Sequence, residues 1–120
     1  MTSKLTLNVS LKRNRKRIYI SRSTITLLGN PSYLGFRYDE RENLLSISAT
    51  SKDDLDGYEI PKFFWRAPKP CEVARIAFFI ALKHRLNWED DSRYSYAGTL
   101  IEVKGFPAVV FNMGKGTKVN

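Results

Sequence analysis

Leu5, Leu7, Val9 and Leu11 alternate with Thr6, Asn8, Ser10 and Lys12, and the same period of two returns at Leu34, Phe36 and Tyr38 and at Leu45, Ile47 and Ala49. A period of two sends successive side chains to opposite faces of an extended chain, so these stretches read as strands with one buried face and one wet face. Arg13 to Lys16 form the expected turn after the first of them, leading to a short strand at Ile18 to Ile20, and the polar run Asp39 to Asn43 joins the next two into a hairpin. Tyr94 to Val103 and Phe106 to Asn112 form a last pair, connected near Lys104 and Gly105.

Two segments depart from this period. Ser21 or Ser23 can cap a short helix at about residues 23–29, which Gly29, Asn30 and Pro31 would stop. From Pro70 to about Asn87 the pattern is helical: Pro70 and Glu72 suit a first turn, and Lys83, His84 and Arg85 suit the negative end of the helix dipole. Ile76 to Leu82 are apolar all round, so this helix, residues 70–87, is expected to be buried on more than one side. Between them the three prolines of YEIPKFFWRAPKP, from Tyr58 to Pro70, point to an extended connection. The fold class that follows is α+β, mainly antiparallel strands in hairpins with one short and one longer helix. A chain of 120 residues supports a single domain, 1–120, with a basic hairpin at 4–22 and a flexible basic tail at about 114–120.

The single cysteine, Cys71, allows no disulfide within the chain, and with the lone His84 it cannot complete a four-ligand zinc site. Neither a leader nor a membrane segment is expected, because the longest apolar run is far short of the roughly 20 residues that a span needs. A cytoplasmic protein without a cofactor is the expectation.

The charge is unevenly distributed. Met1 to Arg22 carry seven Lys or Arg and no acid, whereas the rest of the chain holds thirteen bases against twelve acids. Nearly all of the net +8 is therefore local. A solvated surface loop also looks like this, but an uncompensated run projects a positive field, and Arg offers a planar fork that suits phosphate. Lys12, Arg13, Arg15, Lys16, Arg17 and Arg22 are the candidate nucleic-acid contacts, and Tyr19, Tyr33 and Tyr38 are candidates for base stacking.

Catalytic constellations are weak. Placed on one helix, Cys71 and His84 would stand roughly 20 Å apart, too far for a nucleophile and its base. Glu102, Val103 and Lys104 match the E-x-K element of metal-dependent nucleases, but Asp90 and Asp91, the available extra carboxylates, precede the same strand instead of lying on a neighbour. The acidic run Ser51 to Gly57 lacks the ligand spacing of a calcium loop. The expectation is a protein that is not an enzyme.

From Arg17, the stretch RIYISRSTITLLGNPSYLGFRYDERENLLSISA resembles the swapped-hairpin DNA-binding unit of the AbrB/SpoVT family. Ile18 and Ile20 match its strand, Ile25 and Leu28-Gly29 its helix and stop, and Leu34, Phe36, Leu45 and Ile47 its final hairpin. Ser21 stands where the family prefers proline, and Asn30-Pro31-Ser32 stands where it has a short Gly-Asp type of turn. The resemblance implies an intertwined homodimer that lays Arg13, Arg15, Lys16, Arg17 and Arg22 on DNA, in the manner of a transcriptional regulator. The layout also resembles small uncharacterised proteins of bacterial mobile elements and phages. That second likeness suggests an inhibitor of a host defence or nucleic-acid-processing complex, of the anti-CRISPR type; Phe63, Phe64, Trp65 and Arg66 have the composition of its anchor on the host protein, and core packing is the other use of the same aromatics.

Overall fold

The computed structural model of the chain describes residues 4–13, 15–73 and 76–119, with the side chains of Arg15, Ile76 and Ala77 outside that description. Its strands are β1 (Thr6–Lys12), β2 (Arg15–Ile20), β3 (Tyr33–Asp39), β4 (Leu44–Thr50), β5 (Tyr58–Glu59), β6 (Cys71–Val73), β7 (Arg93–Val103), β8 (Phe106–Asn112) and β9 (Thr117–Val119). Helix α1 (Arg22–Leu27) follows β2, a 3-10 turn (Lys62–Arg66) follows β5, and helix α2 (Ile76–Leu86) follows β6.

All nine described strands belong to one sheet in the order β5-β3-β4-β8-β7-β1-β2-β6, with β9 added against β7. Every pairing is antiparallel. The sheet curls into a nearly closed barrel. Its two edge strands, β5 and β6, are bridged by the Tyr58 hydroxyl, which donates to the Glu72 carbonyl at 2.9 Å.

This corrects the expected α+β fold: strands dominate, and the hairpins join into one barrel-like sheet. The tie is β7, whose 11 residues pair with β1 through Arg93 to Ala97 and with β8 through Gly98 to Val103. The strand changes partner at Gly98, where a Cβ would come within 2.7 Å of the Phe111 ring and 2.8 Å of Val109. Only a hydrogen fits there, so the two halves of the sheet close on each other. Inward positions from both halves, Leu7, Val9, Ile18 and Ile20 from one and Leu34, Leu45, Ile47, Val109 and Phe111 from the other, are at most 1 % exposed and form one core.

The expected helix at 70–87 is a second correction. Residues Cys71 to Val73 form a strand paired to Ile18–Ile20, and the helix proper begins only at Ile76. Cys71 and Val73 are buried, whereas Glu72 between them is half-buried. That period of two satisfies the β2 edge, which outweighs the helix-start chemistry of Pro70 and Glu72. Among its described side chains the helix is covered on one side. Phe79 and Leu82 enter the core and Phe78 packs on Phe36, ring centroids 5.5 Å apart, while Ile80 is 49 % exposed. A barrel wall offers a helix one surface, so its far side stays wet.

The short helix and the other hairpins fall close to expectation. Ser21 stands at the N-cap of α1, but its hydroxyl accepts the Thr6 N–H, fastening the helix start to β1. Gly29 and Asn30 both have positive φ and end the helix. Asp39 accepts the N–H groups of Arg41 and Glu42, folding the β3–β4 turn. The segment at 114–120, read as a tail, carries β9 along Arg93–Ser95.

Candidate nucleic-acid interface

The register fixes which charges share a face. Leu7, Val9 and Leu11 point inward, so Asn8, Ser10 and Lys12 face out, as do their partners Tyr19 and Arg17. On the other side of β1, Ser10 pairs with Arg93 of β7, which pairs onward with Val119 of β9. One outward row therefore runs Val119, Arg93, Ser10, Arg17 across four strands. Ser10 is short and only 7 % exposed, and the two arginines straddle it. The next outward row runs Thr117, Ser95, Asn8, Tyr19, Glu72.

An open groove of about 830 Å³ lies over this face, lined by Asn8, Ser10, Lys12, Arg13, Tyr19 and Arg93 among others, with Asp91 as its one acidic lining residue. Lys12 is held over it by donating its ammonium to the Asp91 carbonyl at 2.6 Å. A second groove of about 280 Å³, lined by Phe63, Lys69 and Cys71, shares Tyr19 and Pro70 with the first. The two are contiguous.

The six basic residues singled out in the sequence thus separate. Lys12, Arg13 and Arg17 gather at the groove face or its rim. Arg15 pairs with Lys12 through the backbone, and its side chain is among those not described. Lys16 is opposite the inward-facing Leu11 and turns to the other face, where its charge acts on Asp90. Asp90 itself accepts from Lys83 at 2.6 Å, and that hydrogen bond, followed by the Lys83 charge, holds its carboxyl below the usual range.

Arg22 has a structural task. Its Nη1 lies 2.8, 2.7 and 3.1 Å from the carbonyls of Phe64, Ala67 and Lys69, and its guanidinium carbon sits 4.0 Å from the Phe64 ring centroid. This group fastens the 3-10 turn against α1 instead of facing the groove. The turn divides its aromatics: Phe64 is buried, while Phe63 is 65 % and Trp65 40 % exposed, and Arg66 is exposed.

Arg93 is the groove cation that sequence reasoning missed. It follows Arg17 by 76 positions and stands in no charge run, and only the strand alternation from Tyr94 onward hints at its outward direction. Tyr33 and Tyr38, in contrast, belong to the other half of the sheet and do not join Tyr19. Tyr33 donates to Glu59 and Tyr38 donates to Asn43.

The catalytic candidates disperse. Cys71 stands on β6, not on a helix, and is 1 % exposed, and burial pushes its thiol up to about 11, so it stays protonated at neutral pH. His84 is exposed in the last turn of α2. Glu102 and Lys104 sit at the exposed tip of the β7–β8 hairpin, nearly the length of β7, roughly 30 Å of chain, from Asp90 and Asp91. No group of three or more His, Cys, Asp or Glu gathers to hold a metal among the described residues. Asp54 accepts from Thr50 and from the N–H of Asp56, which folds the acidic 51–57 loop on itself. No helix among the described residues is long and apolar enough to cross a membrane.

No family model, curated protein or solved structure matches this chain.

Proposed function

We propose that this chain is a nucleic-acid-binding protein without enzymatic activity that holds DNA phosphates on the outer face of β9, β7, β1, β2 and β6. The observation that carries this reading is the convergence of Lys12, Arg13, Arg17 and Arg93, from a hairpin and a distant strand, on one face and its groove. Four cations so placed make a positive field at that face, and guanidinium forks suit the oxygens of a phosphate. The homodimer and regulator role implied by the AbrB/SpoVT resemblance belong to the same proposal, as does a cytoplasmic location. Light scattering at two protein concentrations reads the oligomeric state. The direct test is anisotropy of labelled DNA titrated with the protein, with unlabelled random duplex as competitor. Binding that survives the competitor supports a selective reader, and absence of binding in low salt contradicts the proposal.

A second reading rests on a different observation. Phe63 and Trp65 are exposed aromatics beside the exposed Arg66, the composition of an interface anchor. In that reading the chain is a phage or mobile-element protein that blocks a host nucleic-acid-processing complex. Trp65→Ala then weakens a stoichiometric protein complex by about 2 kcal/mol or more, measured by titration calorimetry.

A further inference from the structure

We infer that the nucleic acid this face accepts is single-stranded, with phosphates on Arg17, Arg93, Lys12 and Lys69 and bases stacked on Tyr19 and Phe63. The inference rests on the proposed nucleic-acid reading and narrows its ligand class. The first ground is the shape of the surface. At the level of Val9 the sheet is five strands wide, running through Lys118, Tyr94, Val9, Ile18 and Val73. Five strands at about 4.8 Å spacing span roughly 19 Å, whereas the major groove of a duplex is about 12 Å wide and admits a helix or a two-stranded ribbon. The β1–β2 hairpin has β7 along Thr6–Ser10 and β6 along Ile18–Ile20, so below its basic tip it is the middle of a sheet and not a ribbon free to enter a groove. Such a face suits a strand laid across it, with its bases unpaired and turned down onto side chains.

The second ground is the alternation of charge and ring along the contiguous grooves. Arg93 and Arg17 lie at one end, the Tyr19 ring follows between Asn8 and Glu72, and Lys69 and the 65 % exposed Phe63 line the far end. A duplex hides its base faces and gains nothing from exposed rings, while a single strand gains at each one. Arg22 anchors the turn that carries Phe63, through the Phe64 carbonyl, which holds that ring's backbone in place beside the groove.

The test compares a labelled oligo-dT with a duplex of equal length, both titrated by anisotropy at one salt concentration, using wild type, Phe63→Ala and Arg93→Gln. Phe63 is exposed, so its replacement leaves the fold intact, and a thermal melt verifies this. Expected are at least tenfold tighter binding of the single strand, a loss of roughly fivefold or more for Phe63→Ala on the single strand alone, and weakened binding of both ligands for Arg93→Gln. Equal or tighter duplex binding, or Phe63→Ala without effect while Arg93→Gln weakens both, overturns the single-strand inference and leaves the nucleic-acid reading standing. Binding of neither ligand overturns both.

Discussion

The two halves of the sheet pack alike and face the solvent differently. Inward, each contributes buried aliphatic and aromatic residues to one core, with Leu7, Val9 and Ile18 meeting Leu45, Val109 and Phe111. Outward, the β9-β7-β1-β2-β6 half gathers Arg93, Arg17, Lys12 and Tyr19, whereas the β3-β4-β8 half shows Gly35, Ser46 and Ser48 with the single cation Arg37, and Ile101, Val103 and Phe106 at its β7 end. The second face has a groove too, of about 520 Å³, lined by Gly35, Arg37, Ser46 and Phe106 among others. Its lining sets one base, Arg37, against two acids, Asp54 and Asp56. Folding is therefore satisfied by the inward alternates in both halves, and the difference in purpose is written in the outward ones.

That comparison breaks first at the core they share. Phe111 is fully buried at the point where β7 changes partner, touching both halves. Phe111→Ala is expected to cost about 3–5 kcal/mol, and chemical denaturation should show both halves melting in a single transition. Separate transitions would mean that the halves are independent units.

Arg22 sharpens the distinction between a charge that binds and a charge that builds. Arg22→Ala removes hydrogen bonds to backbone carbonyls of the 3-10 turn and its cover over Phe64, an expected loss of about 1–3 kcal/mol in denaturant stability. The salt dependence of nucleic-acid binding should stay unchanged in the same variant. A stable variant with a reduced salt dependence would return Arg22 to the binding set.

Cys71 tests closure of the barrel at its β6 edge. Its folded thiol titrates near 11, above the ordinary value of about 8.5, because burial disfavours the thiolate. A raised value means that its contribution to stability is whole below the ordinary thiol range and is lost as the pH climbs from there toward 11. Thermal melts of wild type and Cys71→Ser across that interval should converge as the pH rises. At neutral pH a thiol reagent should react only as fast as the chain opens. The smallest effect belongs to the half without clustered cations: Phe106→Ser, at a 73 % exposed position, is expected to stay within about 0.5 kcal/mol of wild type and to leave nucleic-acid binding alone.

Much of this layout was legible in the residues themselves. The strands at 33–39, 44–50, 93–103 and 106–112 follow from alternation and turn chemistry because each pairs with a sequence neighbour. Residues 71–73 were not legible, since a three-residue strand has too little period to outweigh the local helix signals of Pro70 and Glu72, and only the waiting edge of β2 decides it. The barrel was not legible for a related reason: the pairing of β1 with β7 joins residues some 90 positions apart, and Gly98 shows its role only once Phe111 is beside it. For the site, the charge run located three groove cations, but Arg22 and Lys16 looked identical to them as letters. What separates them is a carbonyl cluster at Phe64 to Lys69 and the parity of one strand.

The most direct measurement is the salt dependence of oligo-dT binding by wild type and the Arg17→Gln/Arg93→Gln double variant. Each phosphate neutralised on a single strand contributes about 0.7 to the slope of log affinity against log salt. The account predicts that the double variant, with unchanged melting behaviour, loses about 1.4 from that slope. A folded double variant whose affinity and slope equal those of wild type would contradict the claim that this face of the sheet holds phosphate.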